Sequence, residues 1–595
     1  MNWNNASFVR KVIYLVAIAV LLLPIAALSQ PATAGRVEAE RSAGGKLAQL
    51  RSEYRLSQAE LGEIDPASET MKLATLGLRG VAVDILWYKA LDYQKKQDFT
   101  GLELTVKQII RLQPNFLKVW DFQAHNLSYN SSVEFDSYRD RYAWVKKGID
   151  FLILGTHYNR DEPGLFYQVG WFTGQKMGRS DESRQFRKMF KTDADLHELY
   201  RRNGVDVDQA LTFHDGKPDS WLASKLWFDR GERAAEHKSI RTKSPLIFYS
   251  GGPMAAINSA SAMEKDDGIY GQYASFAWKN GLDGWVSFGN RQIPSSVGFP
   301  VQLNTQEQLE EQRASVVAKL DALAPGARDE IRKQKIAELS PREKEVYDKS
   351  PEQRSQEENY IAGTVLIARL RPTNDEVAAK VGREKRSQAR EIADELQRLD
   401  REIDMTNRYR GTVNFLYWKS RCEAEQSSEA LAARELIHDA EVLHRNQRDL
   451  SAARQKYEQA WDNWAVVYEK HPRLFDSIEA KELVESIERY EKLLNDLDQK
   501  FPADFKLMKI LEVTYEGAEL RKRIEILHGT LPKDGSAPQE PPSKTGGKPG
   551  EKSTEEKAKQ ETEKKETEKP EPAKEPTPTG NAKPAPEPEG KKKPQ

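Results

Sequence analysis

Leu436–Pro472 reads LIHDAEVLHRNQRDLSAARQKYEQAWDNWAVVYEKHP. Ala440 and His444 stand four residues apart and so share one face of a first helix, and Arg448-Asp449 marks the turn that follows it. Ala453, Tyr457 and Ala460 come next at spacings of four and three, which places them together on a second helix running through Trp464 to Pro472. Small residues let the two helices approach closely, and the aromatic fills the space towards a neighbouring pair. The stretch predicts an antiparallel helical hairpin that needs neighbours in order to bury its face.

The small–aromatic–small spacing with a closing proline resembles the tetratricopeptide repeat. That resemblance implies stacked hairpins, with Ala440, His444, Ala453, Tyr457, Ala460 and Pro472 as structural repeat positions. Glu441 stands where the repeat prefers glycine, and the second helix is longer than the repeat pattern. A weaker match lies at Ala90, Tyr93 and Pro114, with Leu102, Val106 and Ile109 as bulkier counterparts. Between residues 71 and 230 apolar residues recur at helical intervals, and Pro114 and Pro163 bracket related helix pairs. The run LQPNFLKVWDFQAHNLSYNSSVEFDSYRDRYAWVKKGIDFLILGTHYNRDEPGLFYQVGWFTGQKMGRSDE, starting at Leu112, resembles an uncharacterised planctomycete envelope protein family over most of residues 1–300. This second resemblance implies a location and no activity, and nothing in the run supports iron or RNA binding.

The expected fold is mainly α: helical-hairpin, tetratricopeptide-like repeats with an irregular middle segment, long exposed helices and a disordered C-terminal tail. Seven segments follow from composition. Residues 1–34 are an N-terminal membrane anchor or signal segment, 35–70 a spacer, and 71–230 a helical-repeat domain. Residues 231–304, rich in Gly and Pro, are an irregular mixed segment, and 305–404 a charged long-helix region that suggests a coiled-coil hairpin. Residues 405–530 form a helical domain holding the repeat-like unit. The Pro/Lys/Glu-rich residues 531–595, without an aromatic residue, are expected to remain disordered, since they cannot bury enough apolar surface to offset backbone entropy.

Val12–Leu28 (VIYLVAIAVLLLPIAAL) carries no charge and follows Arg10 and Lys11, the order of an export signal. The basic pair keeps the N-terminus inside and puts the body outside the cytoplasmic membrane. Ala32-Thr33-Ala34 offers a cleavage site after Ala34, so the chain is expected in the cell envelope, either as a single-pass inner-membrane protein or exported.

Lys and Arg total 91 against 92 Asp and Glu, so no global excess of one sign recommends nucleic acid as a partner. The lone Cys422 excludes an intramolecular disulfide, and the nine His lack metal-ligand spacing. Glu264–Gly268 lacks the alternating oxygen ligands of a calcium loop and reads as a solvated turn. Ser250–Pro253 reads as a loop entering a helix at Met254, with free N–H groups available to an anion. Arg79 and Asp84 interrupt an apolar helix and are expected to need partners. Aromatic residues from Trp87 to Trp171 are expected mostly in the core. No nucleophile elbow, phosphate loop or dinucleotide fingerprint is present, so no catalytic residue and no cofactor is expected. The expected function is a noncatalytic, membrane-tethered scaffold for an envelope protein or peptide. The alternative is a cell-wall or polysaccharide-binding or hydrolysing protein that acts through residues 243–300.

Overall fold

The computed structural model describes residues 79–514 apart from 241–242, 448 and 477–480, together with Val20, Lys46, Gln49 and Leu50. The chain separates into two units, Met1–Leu531 and Pro532–Gln595, and everything described belongs to the first. Apart from Val20, the apolar segment 12–28 lies outside the described residues, as do Ala34 and the tail. Among the described residues no helix is long and apolar enough to cross a membrane.

The fold is mainly α, and among the described residues the only β pairing is two isolated bridges, Leu211 with Pro218 and Ile293 with Val301. Helix α1 (Arg79–Lys95) and helix α2 (Phe99–Leu112) make the first hairpin. Asp98 caps α2 by accepting from the Gly101 N–H at 2.9 Å, and Leu102, Val106 and Ile109 turn inward at spacings of four and three. Pro114 ends the pair, and its carbonyl accepts from Trp120 Nε1 at 2.8 Å and from Asn159 Nδ2 at 3.0 Å. These bonds tie the break to α3 (Leu117–His125) and to the end of α4 (Tyr138–Tyr158). Asp84 on α1 is exposed to solvent, so the partner expected for a buried charge is not required.

Helix α5 (Pro163–Trp171) continues through a π-helical turn, Phe172–Lys176, and is followed by α6 (Ser183–Phe190), α7 (Ala194–Arg202) and α8 (Ser220–Ala235). Gly170, Gly174 and Gly178 recur every four residues where this run lies against α8. A Cβ on Gly178 would sit 2.4 Å from Trp221 Cε2, and one on Gly174 2.7 Å from Ser224 Oγ. Overpacking of this kind costs about 1–3 kcal/mol, so Gly178→Leu is expected to lower the unfolding midpoint in urea more than Gly178→Ala does.

Residues 231–304 are not the irregular segment that their Gly and Pro content suggests. They hold two long helices, α9 (Pro245–Lys265) and α10 (Gln272–Asn290), packed against each other. Pro253 lies inside α9, so there is no helix start at Met254 and no anion-binding N-terminus there. The glycines act as contact points: a Cβ on Gly251 would lie 3.1 Å from both Phe228 and Tyr167, and one on Gly281 3.1 Å from Ile257. Tertiary packing overrides the local cost of Gly and Pro because α9 is enclosed on several sides by α5, α8 and α10. The pair also bridges the two larger regions, since Trp285 of α10 stacks on Phe415 and donates from Nε1 to its carbonyl at 2.9 Å.

Residues 305–404 are also not a simple coiled-coil hairpin. Helix α11 (Gln306–Leu323) does pair with α16 (Arg386–Thr412), and Arg313 Nε meets Asp400 at 2.5 Å. Between them lie the short helices α12 (Ala327–Ala337), α13 (Pro341–Asp348), α14 (Gln356–Tyr360) and α15 (Asn374–Lys380). Capping boxes at Ser340/Glu343, Ser355/Glu358 and Thr373/Glu376 start α13, α14 and α15, and Val316, Leu320, Ile331, Val377 and Leu396 share a small core. Helices α17 (Phe415–Glu425), α18 (Ser428–Val442), α19 (Leu450–Lys470), α20 (Lys481–Asp496) and α21 (Met508–Thr514) complete the described chain around a second large core.

Candidate functional site

Helices α18 and α19 form a tight antiparallel pair. Ala440, Ala453, Tyr457 and Ala460 are all fully buried, and Tyr457 stacks on Trp461 and meets Tyr490 of α20 at a ring distance of 5.5 Å. His444 lies in a π-helical turn, Leu443–Gln447, with Nε2 at 3.0 Å from Asp496 at the end of α20. Pro472 opens a 3₁₀ turn, Pro472–Asp476. Ala440, Ala453, Tyr457 and Ala460 thus lie in the packed interior, while His444 ties the end of the pair to α20 and Pro472 stands exposed after α19.

The adjoining face of α18 borders a cleft of about 310 Å³, and Ile437 belongs to both faces. Arg434, Ile437, His438 and Glu441 line it from one face of α18, and Arg445 of the π-helical turn that follows extends the same face. Across the cleft stand Glu485, Ser486 and Arg489 of α20, while Ser261, Glu264 and Lys265 at the end of α9 and Arg184 of α6 close it. The α9–α10 turn is set by Gly268, whose φ of 66° takes the left-handed conformation that ends a helix. Its N–H bonds the Glu264 carbonyl at 3.2 Å, and the turn brings Tyr270 to 5.3 Å from the His438 ring.

A buried ion cluster fixes the same turn from behind. Arg187 of α6, only 2% exposed, reaches Asp219 at 3.1 Å, Asp267 at 2.9 Å, Asp266 at 3.4 Å and the Ala262 carbonyl at 3.1 Å. Asp219 in turn caps α8 through the N–H groups of Trp221 and Leu222 and accepts from Ser259. Glu264–Gly268 is therefore not a solvated turn: Arg187 and Arg434, far away in sequence, meet its carboxylates.

The charges in the cleft are only partly matched. Arg489 pairs with Glu441 and lies 3.6 Å from Glu485, and Arg445 meets Glu441 at 2.6 Å. Lys265 lies 3.9 Å from Glu485 and Arg184 3.4 Å from Asp266. Deeper in, Arg434 binds Glu425 at 2.5 Å and lies 3.8 Å from Glu264. Five basic side chains line the cleft against three carboxyls, with Glu264 pushed up to about 8 by burial and then by the neighbouring Glu425 charge. At the mouth Arg445, Arg489 and Lys265 share only two carboxylates, Glu441 and Glu485, which leaves one basic side chain in excess there.

The aromatic residues between Trp87 and Trp171 divide by environment, with Trp120 and Tyr142 buried and Trp171 exposed. Another aromatic group lies at the surface: Phe213 packs edge-on against Phe276 at 4.2 Å, and His214 against Tyr273 at 5.2 Å. Cys422 is buried, with its thiol pushed up to about 12 by burial, so it stays a thiol at neutral pH. Among the described residues no group of three or more His, Cys, Asp or Glu is placed to hold a metal ion.

Sequence reading singled out the hairpin positions and missed the cleft. A signal was present in the Arg434–Arg445 periodicity of α18 and the turn after it, and in the Glu485/Arg489 spacing of four, but such patterns also describe ordinary solvated faces. Fold and site together define a mainly α protein with a charge-lined cleft between helices. No known family matches this chain, and no curated protein matches it.

Proposed function

We propose that this protein is a noncatalytic helical scaffold that holds a segment of a protein partner in the cleft between α18 and α20. The observation that carries the reading is the cleft itself: one face of α18, one face of α20 and the end of α9 converge on a concave surface with unbalanced charge. Small buried residues at Ala440, Ala453 and Ala460 make α18 and α19 a rigid wall, the arrangement by which tetratricopeptide-like hairpins present their first helices to a ligand. The export-type order of Arg10, Lys11 and Val12–Leu28 supports a place in the cell envelope, tethered to the inner membrane or released after Ala34, and the resemblance of Leu112–Glu182 to planctomycete envelope proteins agrees with it.

Affinity capture from envelope extracts in mild detergent, using the full chain, tests this reading. A reproducible protein partner is expected with the wild type, reduced at least tenfold in an Arg445→Glu/Arg489→Glu variant, since opposed charge across an interface costs several kcal/mol. Equal recovery by the two proteins would remove the cleft from the function.

A second reading, binding of wall polysaccharide, is favoured by the surface aromatics, because Phe213 is 69% exposed and stands beside Phe276 and Tyr273. Retention on insoluble wall material that disappears in Phe213→Ala, with no protein partner recovered, would move the assignment to it.

A further inference from the structure

Glu264 is 3% exposed, and its Oε1, buried in the wall of the cleft, has no hydrogen-bond partner. An orphaned buried oxygen is unfavourable, so a ligand that satisfies it gains affinity. Two kinds of ligand answer a carboxyl: a cation for its ionised form, or a hydrogen-bond acceptor for its acid form. The lining decides between them. Arg434 and Arg184 are matched by Glu425 and Asp266, but Arg445, Arg489 and Lys265 share two carboxylates, Glu441 and Glu485, so the mouth favours an incoming oxyanion over an ammonium.

We propose that the cleft captures a carboxylate side chain of an acidic partner segment, charge-paired with Arg445 and Arg489 at its mouth and accepting a hydrogen bond from the Glu264 carboxyl. This rests on the reading of the cleft as a docking surface for a partner. The volume of about 310 Å³ admits one or two side chains, and Ile437 offers an apolar contact for their methylenes.

Capture is then linked to protonation. Facing Glu264 are Glu425 and Arg421 of α17, Arg434 of α18, Trp278 of α10 and Tyr270 of the turn, with Ser261 and Lys265 on its own helix. Burial and Glu425 outweigh the two arginines and push Glu264 up to about 8, while Tyr270, pushed up to about 12 by burial, keeps its proton over the range of interest. A bound oxyanion pushes Glu264 further up. The sign follows: below about pH 8 the acid form is present before and after binding, and affinity is flat. Above it, binding must take up a proton, and affinity falls by up to about tenfold per pH unit.

The test is calorimetric titration of the full chain with a short glutamate-rich peptide, and with its glutamine counterpart, between about pH 7.5 and 9.5. The glutamate peptide alone is expected to bind. Its affinity should weaken about tenfold per unit at the alkaline end, with about one proton taken up per peptide when two buffers of different ionisation enthalpy are compared. Glu264→Gln keeps an N–H donor and cannot ionise, so it should bind with a flat profile. Equal binding of the two peptides, no proton uptake by the wild type, or the same slope in Glu264→Gln would each overturn the proposal. If neither peptide binds while partner capture still depends on Arg445 and Arg489, this inference fails and the docking surface stands. The wild-type proton count remains decisive even if Glu264→Gln does not fold.

Discussion

Replacing Arg187 with methionine is expected to destabilise the protein by about 3–5 kcal/mol, the cost of breaking a buried ion pair from one side. The methionine fills much of the volume but leaves Asp219, fully buried, without its guanidinium, while Asp266 keeps Arg184 and Asp267 keeps Lys191 as the remaining cations. Asp219 also caps α8 and holds Ser259 of α9, so the loss spreads to the start of one helix and the middle of another. Urea unfolding measures the total, and hydrogen exchange locates it, with faster exchange expected first at Ser220–Leu222 and in the α9–α10 turn. Arg187→Lys should recover only part of the loss, because one ammonium cannot span acceptors that a guanidinium reaches with two arms. A change below about 1 kcal/mol in Arg187→Met would mean that the cluster contributes no more than an exposed pair does. Peptide binding in the cleft should weaken alongside, since the turn that Arg187 restrains carries Tyr270 to its edge.

The second large effect is expected at Tyr457, in two opposite directions. Its ring is completely buried between Trp461 and Tyr490, and its hydroxyl has no hydrogen-bond partner. Tyr457→Ala removes the wedge between the α18–α19 pair and α20, and an aromatic-to-alanine change in a core costs about 3–5 kcal/mol. Tyr457→Phe keeps the wedge and removes only the unsatisfied hydroxyl, so it is expected to be neutral or stabilising. Thermal unfolding of the two variants separates packing from polarity. If Tyr457→Phe lost as much as Tyr457→Ala, the hydroxyl rather than the ring would hold the junction. Because α18 and α20 form the two walls of the cleft, Tyr457→Ala should also weaken partner capture, and Tyr457→Phe should not.

Both experiments bear on the same mechanical point. The cleft is assembled from α6, the end of α9, α18 and α20, elements spread over some three hundred residues, and the two variants test whether the buried cluster and the aromatic wedge hold these elements in place.

The sequence by itself determined the helical class and the α18–α19 hairpin. Period and punctuation are local properties: Ala453, Tyr457 and Ala460 at spacings of four and three, or Pro114 after Leu112, predict the same thing wherever the chain goes next. Only the tertiary structure decided residues 231–304 and the site. Gly251, Gly252 and Pro253 are helix breakers when read locally, yet they lie inside α9, because glycine lets a neighbouring helix come within contact distance and the burial gained there exceeds the local propensity cost. Likewise Glu264–Gly268 reads as a solvated acidic turn until Arg187 and Arg434 are brought to it from 77 residues before Glu264 and 170 after. Local patterning fixes which residues face inward on each helix, whereas the partner of a buried charge is set by which helices meet, and one sequence read in order does not contain that pairing.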